Sequence, residues 1–245
     1  MERTVEEISQ NLDDVINKIK SASERVNRNY AEIKLVVVTK SQSLETTRNA
    51  VIAGAKILGE NYAEEGIEKK GVLENIDNIQ WHMIGHVQSR KAKLVASDFD
   101  MVHSLDSLKL AKRLDNFSRE FNKVLPVLLE FNVGGEQNKY GWDSSNVNSW
   151  SDFLPIISEI SDLKNLNICG IMTMPPYSGN PEDSRQYFKK LIQLREYIND
   201  RIPSLKLVEI SMGTSTDFEI AVEEGATILR IGEAILGKRE YKGAL

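Results

Sequence analysis

Eight short apolar segments, alternating with helical patterns, limit the folds open to this chain more than any other feature. Alternation of strand and helix implies parallel strands joined by crossover helices, and eight such units are the number that closes a barrel. An open, doubly wound sheet is the alternative. We therefore predict an α/β fold, a single (β/α)8 TIM barrel. The predicted strands are residues 34–40, 56–60, 79–85, 99–105, 124–132, 166–173, 205–211 and 226–232.

An amphipathic helix is predicted before the first strand. Apolar residues within 5–27 recur at spacings of three, four and seven, the period of a helix with one buried face. The chain has 245 residues, the usual length of one barrel, and no Pro/Gly-rich linker divides it. We predict one domain over 1–245, with the extra N-terminal helix in 1–30 and the barrel in 34–239. Further helices are predicted at residues 43–53, 107–122, 181–200 and 216–224.

Charge and composition exclude several classes of partner. The net charge of -5 and the pI near 5.4 offer no long-range attraction for nucleic acid. No apolar stretch is long enough to span a bilayer, and the acidic N-terminus lacks the features of a secretory or transit peptide. Cys169 is the single cysteine, so no internal disulfide can form. We expect a cytoplasmic protein that binds neither nucleic acid nor membrane.

Polar residues follow the predicted strands, at the barrel face where this fold places its active sites. Lys40 is the most informative of them, because it closes a run of β-branched residues. An amine at the edge of a low-dielectric interior loses its proton more readily and becomes available for Schiff-base formation. The alternative is a solvated lysine that only ends a strand.

Two segments near the C-terminus have the composition of a phosphate site. Residues 211–215, SMGTS, follow the seventh predicted strand, and Gly232 opens a short helical turn after the eighth. Loops at these two places bind phosphate in many barrels of this type. Ordinary turns without a ligand are the alternative.

Arg230 and His82 each have a structural and a functional interpretation. Arg230 lies within an apolar strand, where its guanidinium needs a partner. That partner is either a carboxylate such as Glu209 or the ring nitrogen of a bound heterocycle. His82 and His86 lack the helical face of a zinc pair, so His82 is expected to contact a ligand or another polar group. No metal site is predicted.

Sequence blocks between about residue 35 and residue 239 resemble the YggS/PROSC family of pyridoxal phosphate homeostasis proteins. Several spaced blocks in the right order are far more specific than any one of them. The blocks are VVVTK (36–40), GENY (59–62), WHMIGHVQ (81–88), HSLD (103–106), NV (132–133), KYG (139–141), GIMTM (170–174), SMG (211–213) with Ser215 and Asp217, and RIG (230–232) with Gly237 and Arg239.

The resemblance implies a barrel of pyridoxal-phosphate fold type III, shared with bacterial alanine racemase and eukaryotic ornithine decarboxylase but without their second domain. It implies that Lys40 holds pyridoxal 5′-phosphate as a Schiff base and that residues 211–215 and Gly232 surround the phosphate. Arg230 would lie near the pyridine nitrogen. The cofactor-binding residues it implies are Lys40, Asn61, His82, Met172, Ser211, Met212, Gly213, Ser215, Arg230 and Gly232.

Four positions depart from the family pattern: Thr39, Arg90, Thr214 and Glu233. Glu233 matters most, because a carboxylate beside a phosphate repels it. Its side chain must point away from the phosphate, or the affinity for the cofactor is lowered.

Three functions are compatible with these residues. The first is a carrier or regulator of pyridoxal phosphate, a monomer that passes the cofactor to apoenzymes. The second is an amino-acid racemase-like enzyme, which needs a second acid/base group on the opposite face of the ring. The third is a Schiff-base aldolase acting on sugar phosphates. The chain has no spare domain for the second base, so we predict the carrier, with no catalytic residue and at most weak racemase-like activity.

Overall fold

The computed structural model describes residues 2–238, which form a closed barrel of eight parallel strands surrounded by helices. The described residues form nine strands, and all except β6 belong to the wall of the barrel. They are β1 (Lys34–Val38), β2 (Ile57–Glu60), β3 (Gln80–Met83), β4 (Met101–Leu105), β5 (Leu125–Asn132), β6 (Trp142–Asp143), β7 (Leu166–Met172), β8 (Glu209–Ser211) and β9 (Ile228–Ile231). Strand β4 pairs with β5 and β9 pairs with β1, so the sheet closes. The predicted TIM barrel is confirmed, and the open sheet is excluded.

Strand β6 is the one strand of the described residues that the sequence pattern did not predict. It lies in the long loop after β5 and pairs in parallel with its end, with Phe131 opposite Trp142. A strand of two residues is too short to show a periodicity of two. It adds to the rim of the barrel, while the other eight strands close the wall.

The five predicted helices and the turn after Gly232 are present with small shifts at their ends, and three further helices, at residues 63–72, 92–98 and 154–161, were not among the predictions. The helices are α1 (Val5–Arg25), α2 (Leu44–Ile52), α3 (Ala63–Val72), α4 (Ala92–Asp98), α5 (Leu108–Glu120), α6 (Leu154–Ser161), α7 (Arg185–Arg201), α8 (Phe218–Glu223) and α9 (Glu233–Leu236). The helix predicted over 181–200 begins four residues later, because Pro181–Ser184 forms a 3-10 turn. None of the helices described is long and apolar enough to cross a membrane.

Helix α1 is the predicted extra helix, and it packs on the outside of the barrel. Thr4 and Glu7 form a capping box at its start, and its buried face presents Ile8, Leu12 and Val15 to the core. It contacts α2, α8 and α9. The predicted limit of the barrel at Arg239 lies outside the described residues, and the assignment of 1–245 to one domain stays a prediction.

The barrel interior is divided into an apolar layer and a polar layer. The apolar layer is a small cluster separate from the main core, and its buried members are Val36, Met101, Leu128, Met172 and Ile228. Side chains two positions along a strand point to the same face. The register therefore places polar side chains inside the barrel above this layer, toward the C-terminal ends of the strands. They include His103, Glu130 and Arg230.

Candidate cofactor site at the barrel mouth

Lys40 lies two residues beyond the end of β1 and is half-buried. Val36 belongs to the apolar layer inside the barrel, and continuing the alternation of side chains past the end of β1 would put Lys40 on the inner side of the wall. Its neighbour Thr39 is fully buried, and Ser41 has a left-handed backbone conformation with φ of 58°. The sharp turn at Ser41 carries the chain away from the barrel immediately after the lysine.

A buried charged group lies behind Lys40, between the barrel wall and α3. We call Thr39, Glu60, Glu65 and Lys69 the Lys69 cluster. The ammonium of Lys69 donates to the Thr39 carbonyl oxygen at 2.6 Å, to Oε1 of Glu60 at 2.8 Å and to Oε1 of Glu65 at 2.6 Å. The Thr39 hydroxyl donates to Glu60 Oε1 at 2.6 Å. Burial raises the pKa of Glu60, and the adjacent Lys69 ammonium opposes that rise.

A second buried polar group crosses the inside of the barrel. We call His82, His103, Ser211 and Arg230 the imidazole chain. Nδ1 of His82 lies 3.0 Å from Nε2 of His103, and Nδ1 of His103 lies 2.9 Å from the Ser211 hydroxyl oxygen. A guanidinium nitrogen of Arg230 donates to the same hydroxyl oxygen. Four residues from strands β3, β4, β8 and β9 are thus connected through hydrogen bonds.

One polarity of the imidazole chain is consistent with all three of its hydrogen bonds. A guanidinium only donates, so the Ser211 oxygen accepts from Arg230. The Ser211 hydroxyl then donates to Nδ1 of His103, and Nε2 of His103 donates to Nδ1 of His82. Both imidazoles are neutral in this arrangement. Burial lowers the pKa of His82 to about 4, and burial, His82 and Arg230 together lower the pKa of His103 well below its ordinary value.

Arg230 is buried without forming an ion pair to any carboxylate in residues 2–238. Besides Ser211, it donates to the Thr173 carbonyl oxygen at 2.8 Å and lies 2.9 Å from the Met174 sulfur. Burial lowers its pKa to about 10, so it remains a cation at neutral pH. The alternative prediction that Glu209 pairs with Arg230 is wrong, because the Glu209 carboxylate accepts from Lys34 at 2.6 Å.

The two loops predicted to hold phosphate meet at the mouth. The Ala234 amide, in the turn that Gly232 opens, donates to the Ser215 hydroxyl oxygen at 3.1 Å. Gly213 has φ of 90°, and a Cβ there would lie 2.5 Å from Cβ of Ala221. A Cβ at Gly232 would lie 3.1 Å from the Val38 carbonyl oxygen. Glycine at both positions allows this close backbone packing.

The remaining predicted site residues lie in different surroundings. The Met172 side chain is part of the apolar layer inside the barrel, whereas Met212 is buried in the main core. Met212 can therefore reach a ligand only through its backbone. Asn61 is half-buried and packs under Gly85, where a Cβ would lie 2.6 Å from the Asn61 carbonyl oxygen. Glu233 is exposed, so water screens its charge.

A cleft of about 560 Å³ lies beside Asn61, between the segments that follow β2 and β3. Tyr62, His86, Arg90 and Tyr140 contribute to its walls. The Tyr140 ring stacks on the His86 ring with centroids 3.6 Å apart, and His86 Nδ1 lies 2.8 Å from the Asp106 carboxylate. The long loop after β5 thus reaches across the mouth to the segment after β3.

Sequence reasoning missed two functional candidates, Lys69 and Glu130. Lys69 follows Glu65 by four residues on α3, a spacing that is typical of an exposed ion pair. Glu130 interrupts an apolar strand in the same way as Arg230, and that signal was available. Burial and the nearby Asp106 raise the pKa of Glu130 to about 7, while Arg230 opposes the rise. No cluster of metal-ligating side chains occurs among the described residues.

Comparison with known proteins gives consistent matches over nearly the whole chain. The family model for the alanine racemase N-terminal domain matches residues 10–240. A pyridoxal phosphate homeostasis protein of Aquifex aeolicus is 38% identical over 94% of this chain and 97% of its own length. The protein with the same name from Haemophilus influenzae is 35% identical over 96% of this chain and 97% of its own length.

Solved structures agree with these matches. PipY from Synechococcus elongatus, solved with pyridoxal phosphate bound, has a TM-score of 0.79 and 29% identity, covering 94% of this chain and all of PipY. An alanine racemase of Clostridium difficile shares the fold, with a TM-score of 0.68 and 16% identity over 94% of this chain and 56% of the racemase. The chain therefore belongs to the alanine racemase N-terminal domain family and, within it, to the pyridoxal phosphate homeostasis proteins.

Proposed function

We propose that this protein binds pyridoxal 5′-phosphate covalently through Lys40 and serves as a carrier that controls the free concentration of the cofactor. The observation that supports this most strongly is that Lys40 and Arg230 both lie toward the same end of the barrel. Lys40 provides an amine, and Arg230 is a buried cation with only neutral acceptors. The names of the relatives and the cofactor bound to PipY support the same conclusion.

The described residues fit this cofactor. When bound, pyridoxal phosphate supplies an aldehyde that condenses with a primary amine and releases water. Gly213, Ser215 and Gly232 belong to two loops that meet at 3.1 Å, and their hydroxyl and amide groups are the donors a phosphate dianion requires. The Ser211 hydroxyl, at the end of β8, is already engaged by His103 and Arg230. Gly232 packs closely against Val38, where a Cβ would lie 3.1 Å from the carbonyl oxygen. We assign the phosphate to these loops.

Arg230 would donate to the pyridine nitrogen of the cofactor. A donor that remains a cation at neutral pH keeps that nitrogen unprotonated, which weakens the ring as an acceptor of electrons. Asn61 and His82 would line the remaining walls, with Met172 below the ring. This arrangement favours retention of the cofactor over transformation of amino acids.

A racemase-like activity is the second candidate function, and it needs a base on the face opposite Lys40. Tyr62 and His82 are the nearest residues by strand position. His82 is only 2% exposed and its Nδ1 is engaged by His103, while Tyr62 is 61% exposed in the open cleft. Neither residue is placed as a base in a closed site, so we propose that catalysis is weak at most.

We further propose a monomer that works in the cytoplasm and passes pyridoxal phosphate to apoenzymes. The single cysteine is compatible with a reducing compartment, because such a chain does not depend on internal disulfides. The cleft beside Asn61 borders the proposed site, and we propose it as the route by which the cofactor leaves.

The decisive experiment is borohydride reduction of the purified protein loaded with pyridoxal phosphate, followed by peptide mass spectrometry. We expect the reduced adduct on Lys40 and its complete loss in Lys40→Ala. Lys91→Ala is the matched control, because Lys91 lines the cleft beside the site and pairs with Glu64. An adduct on Lys91 or Lys139 in the wild-type protein would contradict the assignment.

Incubation with L-alanine tests the racemase activity. Robust turnover that depends on Lys40 would replace the carrier function by a racemase function.

A further inference from the structure

Lys69 connects to the backbone on both sides of Lys40. We infer that Lys69 is a positioning residue, which fixes residues 39–41 and so directs the Lys40 amine toward the cofactor aldehyde. The inference rests on the proposed function, since it assigns a role in forming the covalent link. Lys69 does not touch the cofactor in this proposal.

The first connection is direct and fixes the residue before Lys40. The Lys69 ammonium donates to the Thr39 carbonyl oxygen at 2.6 Å, and this oxygen belongs to the peptide group that joins Thr39 to Lys40. The Thr39 hydroxyl is held by Glu60 Oε1, which also accepts from Lys69 at 2.8 Å. Both ends of Thr39 are therefore tied to one ammonium.

The second connection fixes the residue after Lys40. Oε1 of Glu65 accepts from the Ser41 amide at 2.6 Å and from the Lys69 ammonium at 2.6 Å. Ser41 has φ of 58°, a left-handed conformation that residues with a Cβ rarely adopt. The carboxylate of Glu65 compensates for this strained turn, and Lys69 holds that carboxylate in place.

Burial shows that this arrangement is not an incidental surface ion pair. The Lys69 side chain is 3% exposed and that of Glu60 is fully buried. The three bonds of Lys69 use the three protons of an ammonium. Buried ion pairs contribute little net stability compared with well-packed apolar side chains, so their presence is better explained by the geometry that they impose.

The location of the cluster separates its effect from that of the phosphate loops. Lys69 lies on α3 and acts on the end of β1, whereas the phosphate is assigned to loops after β8 and β9. Loss of Lys69 should therefore slow formation of the covalent link and spare noncovalent recognition of the phosphate and ring. A purely structural role of Lys69 would alter both the formation of the covalent link and the noncovalent recognition, or neither of them.

The test compares an aldehyde-bearing ligand with one that cannot form the link. Pyridoxal phosphate reports the rate of adduct formation by absorbance after rapid mixing, and pyridoxine 5′-phosphate, an alcohol, reports noncovalent affinity by calorimetry. For Lys69→Met we expect adduct formation to slow by about tenfold or more and the affinity for pyridoxine 5′-phosphate to change by less than about twofold. Lys123→Met is the matched control, because Lys123 is a half-buried lysine that donates to the Phe99 carbonyl oxygen at 2.9 Å. It should leave both values unchanged.

Glu65→Gln is the second variant and keeps the test decisive if Lys69→Met does not fold. It retains Lys69 but weakens the hold on the Ser41 amide, and we expect adduct formation to slow by about threefold. Wild-type rates in Lys69→Met, or in Glu65→Gln alone if it is the variant that folds, would overturn the inference and leave the proposed function intact. A wild-type protein without any adduct on Lys40 would overturn the proposed function, and the inference with it.

Discussion

The two buried polar groups lie on opposite sides of the same barrel wall and are built differently. Outside the wall, the Lys69 cluster pairs one ammonium with two carboxylates. Inside the wall, the imidazole chain leads through neutral rings to Arg230, whose partners among residues 2–238 are a hydroxyl, a carbonyl and a thioether. The charges that anchor the backbone are thus paired with one another within the protein, whereas the charge inside the barrel has no ion pair among residues 2–238 and is available to a ligand.

The largest expected effect comes from a substitution that disrupts the Lys69 cluster. Glu60→Met should lower the free energy of unfolding by about 3 kcal/mol, because it leaves Lys69 with one carboxylate fewer and the Thr39 hydroxyl without its acceptor. Chemical denaturation at pH 7 measures the loss. Glu159→Met is the control, since Glu159 pairs with Lys112 while about half exposed, and it should cost less than about 1 kcal/mol. Equal losses in the two variants would show that burial of the pair has no influence.

The second prediction concerns the imidazole chain and the loss of protein stability as the pH falls. The pKa of His82 is lowered from 6.5 to about 4 by burial, so the unfolded chain takes up this proton first as the pH falls. The stability that neutral His82 contributes to the folded protein is fully present above pH 6.5 and is lost as the pH falls toward 4. Between pH 7 and pH 5 the wild-type protein should lose about 2 kcal/mol more than His82→Gln. Denaturation curves at both pH values measure this, and parallel losses would contradict a neutral His82.

The smallest expected effect comes from Glu130, whose contribution to stability falls as the pH rises, opposite to that of His82. Burial raises the pKa of Glu130 to about 7, so its favourable contribution is present below pH 4.5 and is lost as the pH rises through 7. Glu130→Gln should therefore stabilise the protein at pH 8 by about 1–2 kcal/mol, after allowance for partial solvation, with no gain at pH 4.5. Thermal unfolding at the two pH values is the measurement. A variant that is destabilised at pH 8 would show that Glu130 acts chiefly as the counter-ion of Arg230.

The order of elements could be predicted from the sequence because it depends on local periodicity. The eight strands of the barrel and the position of Lys40 beyond β1 follow from apolar runs and their ends. Family blocks supplied the identity of the cofactor, which periodicity alone does not contain. The assignment of individual cofactor contacts remains a prediction.

The buried groups could not be predicted because they depend on which faces meet in three dimensions. Lys69 and Glu65 have the spacing of a surface pair, and only the packing of α3 on β2 buries Lys69. His82 and His103 are 21 residues apart, and their contact requires the pairing of β3 with β4. Glu209 could not be excluded as the partner of Arg230 until Lys34 was seen beside it.

The position of α1 has a consequence for the order in which the chain folds during synthesis. Its apolar face packs against α8 and α9, and Asn11 donates to the Ile235 carbonyl oxygen at 2.8 Å. Helix α1 leaves the ribosome before α8 and α9 and therefore finds these partners only after they have emerged. Its apolar side chains stay uncovered by α8 and α9 until then, a state in which nascent chains are prone to aggregate. We expect chains that stall before residue 218 to depend on chaperones that shield this first helix.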